Sequence, residues 1–243
     1  FPVLSHLYGK WWSLSIADID ADGDVDLVVG NLGENTKFKA TDTNPFVVYS
    51  GDVDSNGSND VILSQSYDGL YLPVRGRECM SHQLPWINEK FKDYHSYASS
   101  TLREILPDIT SQNVLKKKVT SFSSVLLLNN QDDGFSVIEL PEIAQISPIK
   151  SSIARDFNGD GIVDILAFGN HYPTEVETIR YDAGRGVLLI GDGLGNFSPI
   201  RGFHSGVNLN SDHRDSGVIE INNQLHVMVT NNNGALSLLR FSG

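Results

Sequence analysis

Three nine-residue stretches of this chain obey one template, Asp-x-Asp/Asn-x-Asp/Asn-Gly-x-x-Asp. They run from Asp18 to Asp26, from Asp52 to Asp60 and from Asp156 to Asp164. The first holds five carboxylates and the other two hold three each. Glycine stands at the sixth place every time (Gly23, Gly57, Gly161) and permits a tight turn without a Cβ cost. Oxygens at loop positions 1, 3, 5 and 9, with the carbonyl at 7, can then converge on one point. Carboxylates held within a few ångströms repel one another unless a cation lies between them. A hard cation with six to eight oxygen ligands suits such a nest, and Ca²⁺ fits it better than Mg²⁺, which demands stricter octahedral geometry. The plainer alternative is a set of Asp/Asn/Gly turns that bind nothing.

An EF-hand is the obvious rival, and it fails twice. Position 12 should be a bidentate Glu, but the chain has Val29, Leu63 and Ala167 there. The exits should be helical. Instead Asp26–Asn31, Asp60–Ser64 and Asp164–Asn170 are short, apolar and β-rich, which predicts strands.

A second repeat lies between the loops. Leu126–Phe135 and Leu188–Phe197 each read as a strand, an Asn/Asp/Gly turn and a new strand, with Val227–Leu236 a weaker copy. The spacing, filled by four short strands, suits a propeller blade. Strands are predicted at Trp11–Ile16, Asp26–Asn31, Phe46–Tyr49, Asp60–Ser66, Leu70–Val74, Ser123–Leu128, Phe135–Leu140, Ile153–Ala154, Asp164–Gly169, Val187–Ile190, Phe197–Ile200, Val218–Ile221, Leu225–Val229 and Leu236–Phe241. Each acidic loop would join the innermost strand of a blade to the next strand. The first blade lacks an obvious outer hairpin, and in the last Asp212–Asp215 is at best a degenerate acidic loop.

One stretch breaks the period. At about 78–118, Leu84, Ile87, Phe91, Tyr94, Ala98, Leu102 and Ile105 fall at spacings of three and four, an amphipathic helical face. Thr101 with Glu104 forms a capping-box pattern, and Pro107 ends it. The expectation is a helical insertion that covers a sheet edge or blade face, or binds a partner. Lys116–Lys118 reads as a solvated turn after it.

The charge balance narrows the partners. With 18 Lys+Arg against 30 Asp+Glu, the net charge is −12. Nucleic acid and anionic membrane surfaces reward basic patches, so neither is an expected partner. No apolar run is long enough to span a bilayer. One cysteine, Cys79, excludes an internal disulfide.

The Asp-x-Asp-x-Asp-Gly-x-x-Asp loop followed by Leu27–Asn31, with the Gly-Asp-Gly-x-Gly-x-Phe hairpin at 191–197, resembles the FG-GAP/VCBS repeats of integrin-α-like β-propellers. Trp11-Trp12, the segment Leu84–Tyr94, Gln145–Pro148 and Arg180–Ala183 look similar to the C-terminal region of large bacterial VCBS-repeat surface proteins of the cartilage-acidic-protein type. The resemblance implies an all-β propeller segment of about four blades across residues 1–243, read as one domain. A complete ring of that kind needs more chain, so the segment reads as part of a longer ring. Starting at Phe1 without methionine, it would be a mature form or a piece of a larger protein. The resemblance also implies three calcium sites. The first would use Asp18, Asp20, Asp22, the Asp24 carbonyl and Asp26. The second would use Asp52, Asp54, Asn56, the Ser58 carbonyl and Asp60. The third would use Asp156, Asn158, Asp160, the Ile162 carbonyl and Asp164. It implies further a surface or secreted protein with a protein or glycan ligand, or contacts to other parts of a longer parent chain.

Catalytic patterns are sparse. None of the seven histidines forms a metal pair at helical spacing, and no Gly-x-Ser-x-Gly elbow occurs. Cys79 with His82 and His95 makes a poor zinc set. The chain is therefore expected to be non-catalytic. The alternative is the propeller part of a polysaccharide lyase or hydrolase, with Glu175, Glu177 and Asp182 as its carboxylates. Trp11 and Trp12 would alternate along a strand, leaving at most one free to stack on a ligand.

Overall fold

A computed structural model describes residues 2–107, 109, 114–200 and 202–241. Within them fifteen strands follow in chain order: β1 Ser13–Ala17, β2 Asp26–Gly30, β3 Phe46–Gly51, β4 Asp60–Tyr67, β5 Leu70–Pro73, β6 Leu115–Val119, β7 Val125–Asn129, β8 Phe135–Glu139, β9 Ser151–Arg155, β10 Asp164–Phe168, β11 Val187–Gly191, β12 Phe197–Ile200, β13 His213–Ile221, β14 Gln224–Asn231 and β15 Ser237–Arg240. They form four antiparallel sheets, so the all-β reading is borne out. The chain divides into two compact units, Phe1–Thr36 with Phe122–Gly243, and Lys37–Ser121.

The first unit contains three of the sheets. Their orders are β1-β2-β7-β8, β9-β10-β11-β12 and β13-β14-β15. The first sheet does have an outer hairpin, β7–β8, which lies beyond the whole second unit in sequence. That is why it escaped notice next to β2. The innermost strands β1, β9 and β13 run side by side. Serine hydroxyls stitch them together. Ser13 Oγ donates to the Ile149 carbonyl (2.9 Å), Ser15 and Ser152 share a 2.6 Å bond, and Ser151 Oγ lies 2.7 Å from Ser216 Oγ.

The middle sheet is buried on both faces, because period-2 alternation sends successive β10 side chains to opposite sides. Ile165 and Ala167 pack with Val28, Leu126, Leu128 and Leu189. Leu166 and Phe168 pack with Leu188, Val227 and Val229. Every residue of β10 is buried, which accounts for its unbroken apolar run after Asp164. Each fully buried Ile or Leu contributes about 1.5–3 kcal/mol. The two flanking sheets each leave a face open: Leu14 and Ile16 are 62% and 64% exposed on β1, and Leu238 is 52% exposed on β15.

The second unit has a sheet ordered β5-β4-β3-β6. Four short helices, Arg77–Gln83, Ile87–Lys90, Tyr94–Ala98 and Leu102–Ile105, pack on one of its faces. Val47, Tyr49 and Ile62 from the sheet meet Met80, Leu84, Ile87, Phe91, Tyr97, Leu102 and Ile105. The expected capping box at Thr101 and Glu104 is present. Two positions of the expected face are not buried: Tyr94 is 62% exposed and Ala98 is exposed. Asp93 caps a new helix there by accepting from the Ser96 N–H, so the helical phase restarts and Tyr97 takes the inward place. Residues 108 and 110–113 of the expected insertion lie outside the described residues.

Two further expectations need correction. Lys116–Lys118 is not a turn. It lies in β6, the exposed edge strand paired with β3, and lysines on an edge discourage pairing with other chains. Trp11 and Trp12 precede β1 rather than alternating along it, and both are half-buried. The last sheet, as expected, has no clear acidic loop at Asp212–Asp215, where His213–Asp215 already lie in β13. The connection that would hold one, between β13 and β14, is the two-residue turn Asn222-Asn223 with φ of 52° and 59°, a type I′ hairpin signature.

Candidate metal centre

Each acidic loop joins two neighbouring strands: β1 to β2, β3 to β4, and β9 to β10. The loops share one internal bonding scheme. The position-1 carboxylate accepts from the position-6 glycine N–H: Gly23 to Asp18 (3.2 Å), Gly57 to Asp52 (2.8 Å) and Gly161 to Asp156 (2.9 Å). The position-5 side chain accepts from the position-7 N–H: Asp24 to Asp22 (2.9 Å), Ser58 to Asn56 (2.7 Å) and Ile162 to Asp160 (2.8 Å). The position-9 carboxylate accepts from the position-2 N–H: Ile19 to Asp26 (2.7 Å), Val53 to Asp60 (3.1 Å) and Phe157 to Asp164 (2.9 Å). The glycines have φ of 97°, 86° and 87°, as the turn requires.

A second left-handed position was not read from the sequence. It is position 4, where Ala21, Ser55 and Gly159 have φ of 58°, 60° and 83°. The Asn158-Gly159 pair was the available signal; Ala21 and Ser55 carry none, because a non-glycine residue there is strained.

The scheme divides the acids by role. Asp26, Asp60 and Asp164 are buried. The other oxygens of Asp26 and Asp164 accept from the Asn129 and Gly191 N–H groups on the next strand over, at 2.8 and 3.0 Å. These two aspartates therefore clamp the loop to its sheet. In the first two loops acids draw together; Asp156, Asp160 and Asp164 of the third form no such group among the described residues. Ligand atoms of Asp18, Asp20 and Asp22 lie within 4.8 Å of one another, as do those of Asp52, Asp54 and Asp60. In the first loop Asp18 Oδ1, Asp20 Oδ1 and Asp24 Oδ2 are buried from water and have no hydrogen-bond partner. Asp24 thus also holds a carboxylate oxygen out of water, although it is not one of the three clustered acids.

The electrostatics agree. Burial, then repulsion by Asp22 and Asp26, raises the Asp20 pKa above the usual carboxylate range. Burial also raises Asp60, with repulsion from Asp54 and Asp52 added and the Val53 N–H opposing. In the third loop backbone N–H groups of Gly161 and Gly159 lower Asp156 instead. There Asn158 Nδ2 donates to Asp160 (2.8 Å), a local neutral partner that the first loop lacks. An all-oxygen donor set with orphaned inward oxygens fits a calcium-sized hard cation, which would supply positive charge and tie β1 to β2.

Residues 10–49 match the FG-GAP repeat. The matched FG-GAP segment contains β1, the first acidic loop and β2, and runs on to Tyr49 in β3. That repeat is characteristic of integrin-like β-propeller domains, and the four antiparallel sheets are of the same all-β kind. No curated protein matches the chain.

Asp182 pairs with Arg180 (3.0 Å), and Glu175 accepts from the Thr178 hydroxyl. Cys79 Sγ accepts from Arg75 (3.1 Å), and it joins no metal-type cluster among the described residues. No described helix is long and apolar enough to cross a membrane.

Proposed function

We propose that the chain is a calcium-stabilised, non-catalytic propeller segment of a surface or secreted protein, working in adhesion or in binding a protein or glycan. The observation that carries this reading is the cluster of buried, partnerless oxygens on Asp18, Asp20 and Asp24 within the FG-GAP match. Asp18, Asp20, Asp22 and the Asp24 carbonyl would hold the first ion, with Asp26 closing the loop behind them. Asp52, Asp54, Asn56, the Ser58 carbonyl and Asp60 would hold a second. Asp156, Asn158, Asp160 and the Ile162 carbonyl would hold a third, with Asp164 closing the loop behind them as Asp26 does. The kinship to VCBS-repeat surface proteins of the cartilage-acidic-protein type belongs to this reading.

Extracellular modules bind Ca²⁺ with dissociation constants of about 10⁻⁴–10⁻³ M. Such sites fill only where calcium is abundant, which favours a location outside the cytosol. At tenfold excess over its dissociation constant, each ion adds about 1.4 kcal/mol to folding. Calorimetry on the whole chain, with EDTA and then with calcium restored, is the test. The expected result is a melting temperature lowered by several degrees and recovered on adding calcium. An unchanged melting curve rules the proposal out.

A further inference from the structure

A second polar cluster lies at the other end of the inner strands, away from the acidic loops. Trp12 and Lys150 immediately precede β1 and β9, and Arg214 lies at the equivalent point near the start of β13. Lys150 is 7% exposed. Its ammonium sits 4.3 Å from the centroid of the Trp12 ring and 3.1 Å from His171 Nδ1. The Lys10 ammonium lies 5.2 Å from the same indole, and the His171 ring stacks on Tyr181 at 6.4 Å. Arg214 is already engaged: it donates to Asp212 at 2.6 Å, and Asn232 Nδ2 donates to the same oxygen at 3.1 Å.

The charges here do not balance. Lys10, Lys150 and Arg214 face one carboxylate, Asp212, in a chain whose net charge is −12. No ion pair joins either lysine to a carboxylate among the described residues. Burying an ammonium without a counter-charge is costly. The indole face recovers part of that cost but does not cancel the charge. Burial, then the nearby Arg214 and Lys10, pulls the Lys150 pKa down to about 8. Burial and Lys150 pull His171 down to about 4, so the imidazole is neutral at pH 7 and accepts from the ammonium. Lys10 is lowered by desolvation although the residue as a whole is exposed, because its head group lies over the indole. One more donor stands ready: Trp12 Nε1 is buried and has no partner.

We propose that this cluster binds a small oxyanion, the carboxylate or sulfate-like group of a ligand, held by Lys150 and Lys10 with the Trp12 N–H beside them and Arg214–Asp212 as a fixed wall. The site is independent of the acidic loops and needs no metal.

The test titrates the intact chain in calcium-containing buffer at pH 7 with sodium acetate and, separately, sodium sulfate. Sodium chloride serves as the ionic-strength control. Tryptophan fluorescence and calorimetry are read together. Saturable binding of one or both oxyanions is expected, and the stronger arm says whether a planar or a tetrahedral group is preferred. Lys10→Met leaves the fold intact, since Lys10 is exposed, and weakens binding by about tenfold, the loss of one charge-assisted bond. Lys150→Met abolishes it. If Lys150→Met fails to fold, Lys10→Met decides alone. No saturable response by 50 mM, an equal response to chloride, or unchanged affinity in Lys10→Met overturns the assignment.

Discussion

The two ends of the inner strands in the first unit carry opposite chemistry and are built in opposite ways. At one end each acidic loop is a single run of nine residues that supplies its own carboxylates and its own N–H donors. At the other, Lys10, Trp12, Lys150, His171, Asp212 and Arg214 come from segments more than 200 residues apart, and only the stacking of three sheets unites them. Both ends hold like charges at close quarters. The acidic end relieves them through backbone hydrogen bonds and, in the proposed reading, a cation. The basic end relieves them through an indole face, a neutral imidazole and a single carboxylate. A local motif can specify charge density from sequence alone, whereas an assembled cluster depends on the fold being correct first.

The largest expected effect separates two roles within the acidic end. Asp164→Ala leaves the Phe157 and Gly191 N–H groups without their acceptor in a buried setting. Each orphaned donor costs about 1–3 kcal/mol, so a loss of about 2–5 kcal/mol is expected, with and without calcium. Asp156→Ala, in the exposed part of the same loop, is expected to lose far less in EDTA and to show its cost only when calcium is present. Denaturant midpoints in both conditions read the difference. Matching losses for the two variants in EDTA would erase the distinction between clamp and ligand.

A smaller effect turns on the repulsion at Asp20. Asp20→Asn removes one charge from the group formed with Asp18, Asp22 and Asp26. The calcium-free protein is expected to become slightly more stable, since less repulsion remains. The calcium-induced rise in melting temperature is expected to shrink by about a third, as one of three sites weakens. A variant less stable than the parent in EDTA would mean that Asp20 serves the turn itself rather than an ion.

How much of this was legible follows from the same contrast. The strands could be read because their signals are local: Asp/Asn/Gly turns alternate with apolar runs, and all but β6 were located within a few residues. The β6 strand was missed because Leu115–Val119 is exposed and lysine-rich, and only its pairing with β3 makes it a strand. The outer hairpin of the first sheet was misplaced because β2 and β7 are neighbours in space with the entire second unit between them in sequence. At the acidic loops the template marked three turns of one build, and the bonding scheme then sorted their residues. Nothing in the spacing said that Asp26 and Asp164 reach across to a third strand, or that an Asp24 carboxylate oxygen is buried. The basic cluster left no sequence trace at all. Lys150 follows an unremarkable Pro148-Ile149, and His171 looked like one of seven unpaired histidines.

The smallest prediction sets the two ends against each other through pH. His171 has its folded pKa near 4, below the ordinary 6.5 of the unfolded chain. Between those values the unfolded state binds more protons, so stability falls as pH drops from about 6.5 to about 4. Asp20 works the other way in calcium-free protein. Its folded pKa is raised, so the folded state takes up the proton first, and acidification toward the ordinary carboxylate value favours folding. Lys150 adds a rise in stability from about pH 8 up to its unfolded value, as the buried ammonium loses its charge first in the folded state. His171 remains half open to water, so screening limits its share to a melting-temperature change of about 2–4 °C. His171→Asn should therefore flatten the acid slope between pH 6.5 and 4 relative to the parent, both measured calcium-free so that the Asp20 contribution is common to the two. A slope unchanged in that variant would mean the imidazole is ordinarily hydrated, and the basic end would then be less crowded with charge than its geometry implies.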